Sequence, residues 1–322
     1  LEYQTTAVGL VLKEFSMDIV GKRYTYFLIS FFLIVPGLIG LFVWGLPLAV
    51  DFAGGSVVEI RFVSGDAPSL QAVRDLYASF GETDAEPRTS NANEMVIRSK
   101  HLDDATNAEI IAAMQEQFNT EITILQFESV GPTIGREVTI RAIGTIAIAA
   151  IAILLYIWYA FRGVKNSYRY GVSAILAMLH DVAVVFGMQA ILSHFLGWEI
   201  DALFLTALLT VISFSVHDSI VVFDRIRENS GRFRREKFEK VVNESIVQTM
   251  TRSINTQFTV FLTLLALLLF GGSTLRHFIV ILMIGLLSGT YSSIFNAAPI
   301  LVVWENQEWK YWFRRKSNPS TA

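Results

Sequence analysis

Six stretches of this chain are too long and too apolar for the surface of a soluble protein: residues 24–44, 142–161, 170–192, 202–223, 253–270 and 278–304. About 20 apolar residues carry a helix across a bilayer core. In lipid every backbone N–H and C=O must be satisfied within the segment, so runs of this length fold as transmembrane helices. Four of the six hold no Asp, Glu, Lys or Arg, and the other two hold one carboxylate each, Asp181 and Asp218. The first run exceeds the roughly 7–15 residue apolar core of a cleaved signal peptide, and no small-x-small site follows it. It therefore reads as a first span, with Pro36 and Gly37 predicting a kink at its middle.

Charge divides what remains. Between Asp51 and Glu137 there are 15 Asp/Glu and 6 Lys/Arg, whereas the rest of the chain carries 14 acidic and 20 basic residues. An acidic segment, residues 48–135, is thus set between the first span and the other five. Its patterning predicts strands over 56–63, 94–98 and 121–130, helices over 68–80 and 105–118, and a weak strand near the end of the 81–88 loop. The order β-α-β-β-α-β is the ferredoxin-like split unit. No catalytic constellation is visible in it, so it reads as a binding or lever domain. The chain has no cysteine, and such a domain must be held by its own core.

Lys22, Arg23, Arg162, Lys165, Arg169, the run from Arg225 to Lys240 and the run from Lys310 to Lys316 fall on one side of the spans. The short loops of the other side hold only Arg276. By the positive-inside rule both termini are cytoplasmic and residues 48–135 are extracytoplasmic. The expected fold is a polytopic α-helical membrane protein of six transmembrane helices in a 1+5 arrangement, with a small α+β domain between helices 1 and 2. Its parts are a cytoplasmic segment 1–23, a first helix 24–47, the domain 48–135, helices 2–6 over 136–304 with a basic cytoplasmic loop 224–252, and a tail 305–322.

A carboxylate inside lipid costs roughly 2.5–3.5 kcal/mol on insertion scales, so each needs a partner, a proton or a wet cavity. Counting 1.5 Å per residue, Asp218 lies about 9 Å below the boundary marked by Asp224, and Asp181 about 16 Å deep. Each follows a histidine. Beside Asp218 runs a polar row at helical spacing, Thr206, Thr210, Ser213 and His217, with Ser215 one turn above the acid. Such a row can hold a chain of hydrogen bonds; equally, its hydroxyls can bond carbonyls one turn back. Arg252, at the cytoplasmic start of the fifth span, is the nearest counter-charge and can bend inward to meet Asp218, or can simply snorkel at the interface. In the last span Gly285, Gly289 and Ser293 form a small-residue row suited to close helix packing. Proton relay is the expected part of Asp218, Arg252, Asp181, His217 and Ser215.

Enzyme chemistry finds little purchase. There is no G-x-x-x-x-G-K-[ST] loop, no H-x-x-x-H or Cys/His metal spacing, and no Gly-x-Gly-Asp context around either aspartate. The motifs V-G-K-R at 20–23, D-F-A-G-G at 51–55, V-G-P-T-I-G at 130–135 and L-H-D-V at 179–182 stand in register with the topology. So do V-H-D-S-I-V-V-F-D-R-I-R-E-N at 216–229, Q-T-M-T-R-S at 248–253 and F-G-G at 270–272. In these the chain resembles, over nearly its whole length, the SecD/SecF family of bacterial protein-export membrane proteins, within the resistance-nodulation-division superfamily. The resemblance implies a non-enzymatic subunit of the bacterial cytoplasmic (inner) membrane that uses the proton motive force in late protein translocation. It implies protons as coupling ion and no other cofactor. The implied partners are SecD (separate, or as six further spans before Leu1), the SecYEG translocon, preprotein and membrane lipids, with no nucleic acid. It also implies that Asp218 conducts protons with Arg252 as its basic partner. Against it stand half of a superfamily exporter of small molecules or lipids, and a passive translocon assembly scaffold.

Overall fold

The computed structural model describes residues 17–63, 67–162, 166–272 and 275–312, with the side chains of 311 and 312 excepted. Residues 15–16 of the lead-in, Lys165, positions 273–274 and the basic tail residues 314–316 lie outside the described residues. After a 3-10 turn at Val20–Lys22, the chain runs through α1 (Arg23–Trp44), β1 (Gly55–Phe62), α2 (Leu70–Ser79), β2 (Glu86–Asn91), β3 (Glu94–Ser99), α3 (Asp104–Phe118) and β4 (Ile122–Val130). It continues through α4 (Pro132–Ala160), α5 (Ser167–Leu196), α6 (Ala202–Arg232), α7 (Phe238–Phe270), α8 (Arg276–Ser292), a π-helical turn at Ser293–Ala297 and α9 (Ala298–Glu305). Among the described residues six helices are long and apolar enough to cross a membrane, the last being the continuous run Arg276–Glu305.

Two compact units result: Pro47–Ala147 with Glu199–Ala202, and the remaining described residues. In the first, a four-stranded antiparallel sheet has the order β2-β3-β1-β4. Its inward residues Val58, Ile60, Phe62, Met95 and Ile97 pack on Val73 and Tyr77 of α2 and Ile110 and Met114 of α3, all buried. Ser69 caps α2 through the Ala72 N–H, and Asp103 caps α3 through the Thr106 N–H. Glu199–Ala202 belong to this unit although they lie far along the chain. Arg98 Nη1 meets Glu199 Oε1 at 2.5 Å and Arg98 Nη2 donates to the Leu48 carbonyl at 2.7 Å. The Ile200 N–H donates to Pro47 O, the Ala49 N–H to Ile200 O, and the Ala202 N–H to Asp51 Oδ2 at 3.0 Å. Nothing in the sequence signals this clip.

In the membrane unit, α1 runs unbroken through Pro36. Gly37 serves a close approach: a Cβ on it would stand 2.6 Å from the Gly187 backbone of α5. At one end of the bundle Arg23 bridges Glu308 at 2.6 Å and Glu239 at 3.2 Å, and Arg169 pairs with Glu305. Three helices outrun the apolar stretches that announced them. α4 begins ten residues before position 142 and takes in Arg136 and Arg141. α6 and α7 extend to form a helical hairpin, so the basic stretch 224–252 is helix on either side of a turn at 233–237 and not a loop. Asn229 ties the two arms by donating to Ser245 Oγ at 2.9 Å and Gln248 Oε1 at 3.0 Å.

Candidate functional site in the membrane

The small residues of α8 bring three helices together. A Cβ at Gly285 would lie 2.1 Å from Val211 Cγ2, and one at Gly289 would lie 3.3 Å from Ser215 Cβ, so α8 rides directly on α6. That approach delivers hydroxyls to the carboxylate of Asp181 on α5, which is fully buried. Ser215 Oγ of α6 and Ser292 Oγ of α8 donate to Oδ2, each at 2.5 Å, and Ser288 Oγ donates to Oδ1 at 2.6 Å. His180 Nδ1 also lies 3.0 Å from Oδ1. Four partners from three helices satisfy an acid that lipid alone would leave stranded. Ser293, next in the small-residue row, donates to the Thr290 carbonyl, and Asn296 of the π turn bonds Ser30 of α1 at 2.8 Å.

Asp218 is three residues past Ser215 and 3% exposed, yet it receives one bond only, from Gln257 Nε2 of α7 to Oδ2 at 2.7 Å. The other end of that amide, Gln257 Oε1, is buried and has no partner. Gln257 tops a buried polar row of α7 at a spacing of four: Ser245, Thr249, Ser253, Gln257. This face is legible in the sequence from its spacing alone, though it starts before the uncharged run 253–270 and carries no charge to mark it.

The expected ion pair between Asp218 and Arg252 is not formed. Arg252 is exposed and precedes Gln257 by five residues, about 7.5 Å along the helix axis. A guanidinium kept at a water-sized opening retains its hydration, while a neutral amide enters the bundle at lower desolvation cost. Arg252 lines a cavity of about 570 Å³ with Ile220, Val221, Asp224, Gln248 and Thr249. The polar row of α6 takes a different course from the acid. Thr206, Ser213 and His217 are exposed, and with Thr210 they line a second opening of about 580 Å³. Thr210 Oγ1 donates to the Thr206 carbonyl at 2.7 Å, the bond one turn back. The structure thus groups Asp181 with Ser215 and Asp218 with Gln257, and sets His217 and Arg252 at separate openings. Along α6, the linings of the two openings bracket Asp218, His217 on one side and Ile220 on the other.

Residues 110–307 match the family described as "Protein export membrane protein SecD/SecF, C-terminal". The chain is 53% identical over 307 residues to the protein translocase subunit SecF of Anaerolinea thermophila, covering 95% of this chain and all of that one. It is 46% identical over 319 residues to the SecF subunit of Thermobaculum terrenum, covering 95% and 99%. The crystal structure of SecDF, a translocon-associated membrane protein from Thermus thermophilus, superposes with a TM-score of 0.76 at 32% identity. That match covers 90% of this chain and 39% of the longer SecDF chain.

Proposed function

We propose, from the premise that the chain belongs to the SecD/SecF family of protein-export membrane proteins, that it is a proton-coupled, non-enzymatic subunit of a protein translocase in which Asp218 exchanges the driving proton. The observation that carries this reading is the position of Asp218: buried, held by one neutral amide, and bracketed along α6 by two openings. An acid with a single neutral partner can lose and regain a proton with little rearrangement, whereas Asp181, with four partners, is assigned the part of a fixed anchor. One proton crossing about 150 mV releases roughly 3.5 kcal/mol, enough to shift a two-state equilibrium by more than two decades.

The exposed polar row of α6 and the largely bare α4, none of whose apolar window is buried within this chain, support a partner in the membrane. SecD is that partner in this reading, since the SecDF relative carries both names in one chain. SecYEG and the emerging preprotein complete the assembly, with residues 48–135 on the far side of the bacterial inner membrane and both termini in the cytoplasm. Energy passes to that domain through α6. In inverted membrane vesicles energised by a proton gradient, Asp218→Asn should reduce gradient-dependent export to the level seen with the gradient collapsed, with the complex still assembled. Undiminished export in that variant leaves only an assembly scaffold.

A further inference from the structure

The orphaned end of the Gln257 side chain has a use that depends on which protonation state Asp218 is in. A carboxylate accepts hydrogen bonds only, and here Gln257 Nε2–H supplies one at 2.7 Å. A protonated carboxyl must donate, and an N–H facing it offers nothing to receive the hydrogen. Gln257 carries both functions on one rotatable amide: turned over about its last torsion, Oε1 faces the acid and takes the O–H. Leucine serves neither state. Arginine or lysine, donors only, serve the anion alone.

We propose that Gln257 is a positioning residue that follows the proton on Asp218, its amide donating to the carboxylate and reversing to accept from the carboxyl. This rests on the reading of Asp218 as the exchanging acid. In the protonated state the proton sits on the Asp218 oxygen, and the amide neither gains nor loses one when that proton comes or goes. Two observations support it independently of the bond itself. Gln257 is 6% exposed and its Oε1 is unpartnered at a depth where a lost hydrogen bond is costly, so the amide is built for a second state as well as the one shown. Its far side also borders a cavity of about 370 Å³ lined by Phe258, Phe261, Leu286, Tyr291 and Phe295, which leaves an amide room to turn. Of the charged and titratable groups on the neighbouring elements, His217 is near enough to act on Asp218 through its charge, and the others are engaged or turned elsewhere. His217 of α6 lies at its own opening and Asp224 pairs with Arg227. On α5, His180 and Asp181 bond each other and the serines; on α7, Arg252 lines the cytoplasmic-end cavity; α8 presents the hydroxyls of Ser288 and Ser292 and the phenol of Tyr291, bonded to the Tyr26 carbonyl.

The test is difference infrared spectroscopy across a pH titration of the full-length protein in lipid nanodiscs, with Asp218→Asn identifying the carboxyl band and glutamine side-chain isotope labelling identifying the amide band. The expected result is that a glutamine amide band shifts in step with protonation of Asp218 and is static in Asp218→Asn. In Gln257→Leu the protonated carboxyl band should move to the position of a free acid, and gradient-driven export should fall about tenfold, the scale of one hydrogen bond to a charged group. Gln257→Glu, which keeps the shape and sets a second acid against the first, guards against misfolding of the leucine variant and should lower export at least as far. An Asp218 band that titrates normally while the amide band stays fixed and Gln257→Leu leaves it unmoved overturns this inference alone. A carboxyl band absent at every pH overturns both this inference and the assignment of Asp218 beneath it.

Discussion

Asp181 and Asp218 look alike in the sequence, each a lone acid after a histidine within an apolar run, yet the bundle treats them as opposites. Asp181 joins α5, α6 and α8 through four partners; Asp218 meets one amide. Deleting Asp181 orphans the buried hydroxyls of Ser215 and Ser288, at about 1–3 kcal/mol for each donor left unmet, and leaves Ser292 with the Gly289 carbonyl alone. Asp181→Ala should therefore lower the thermal unfolding temperature in detergent far more than Asp218→Asn, whose side chain still offers Gln257 an oxygen. Equal melting of the two variants would contradict the anchoring role. Apolar patterning was enough to find both acids, because a charge inside a 20-residue apolar run is visible from composition. It could not assign their partners. Ser288 and Ser292 lie more than a hundred residues from Asp181, and which face of each helix turns inward is set by packing that no single span encodes. Gln257 was the recoverable loss, since the spacing Ser245–Thr249–Ser253–Gln257 is a helical face in its own right.

Among the elements, the outcome follows what each kind of signal measures. The alternating residues of β1 and β3 and the periodic α2 and α3 were legible because one face of each meets a core. β2 was faint because its residues, Glu-Pro-Arg-Thr-Ser-Asn, are nearly all exposed on an edge strand. The apolar runs fall within helices that extend past them, since hydropathy marks where apolar sequence ends and the backbone can remain helical beyond it. The α6–α7 hairpin is the case in point, charged along its length and still helical to Arg232. Glycine proved the more decisive residue. Gly37 and Gly187 meet backbone to backbone, so neither neighbour can yield as a flexible side chain would. Gly187→Ala should force α1 from α5 and destabilise the protein by about 1–3 kcal/mol, the range for overpacking. At Gly289 the nearest obstacle stands at 3.3 Å, so Gly289→Ala should cost less. Thermal unfolding of the two variants side by side checks the order, and a reversed ranking would show that the α1–α5 approach is not the tighter one.

At the scale of the whole molecule, the proposed function asks how a proton event at Asp218 would reach the acidic domain. The strap Glu199–Ala202 is part of that domain's unit, and its last residue is the first of α6, the helix that carries Asp218 sixteen residues on. Within that unit Arg98, Pro47 and Asp51 hold the strap. Burial pushes the Glu199 carboxyl above the usual glutamate range, against the opposing pull of Arg98 and Arg88. An acid raised in this way binds its proton more tightly in the closed strap than in an open one. The strap is thus firmest below the ordinary glutamate value of about 4.3 and loosens as pH rises through the raised value. Hydrogen exchange at the Ile200 and Ala202 amides, corrected for intrinsic rate, should show protection falling over that window. Glu199→Gln should flatten the dependence. Arg98→Ala removes the strap's ion pair through Glu199 while leaving Gln257 and Asp218 untouched, so the Asp218 carboxyl should titrate as before while gradient-driven export drops several-fold. Export at full rate with the strap amides unprotected would contradict coupling through the strap.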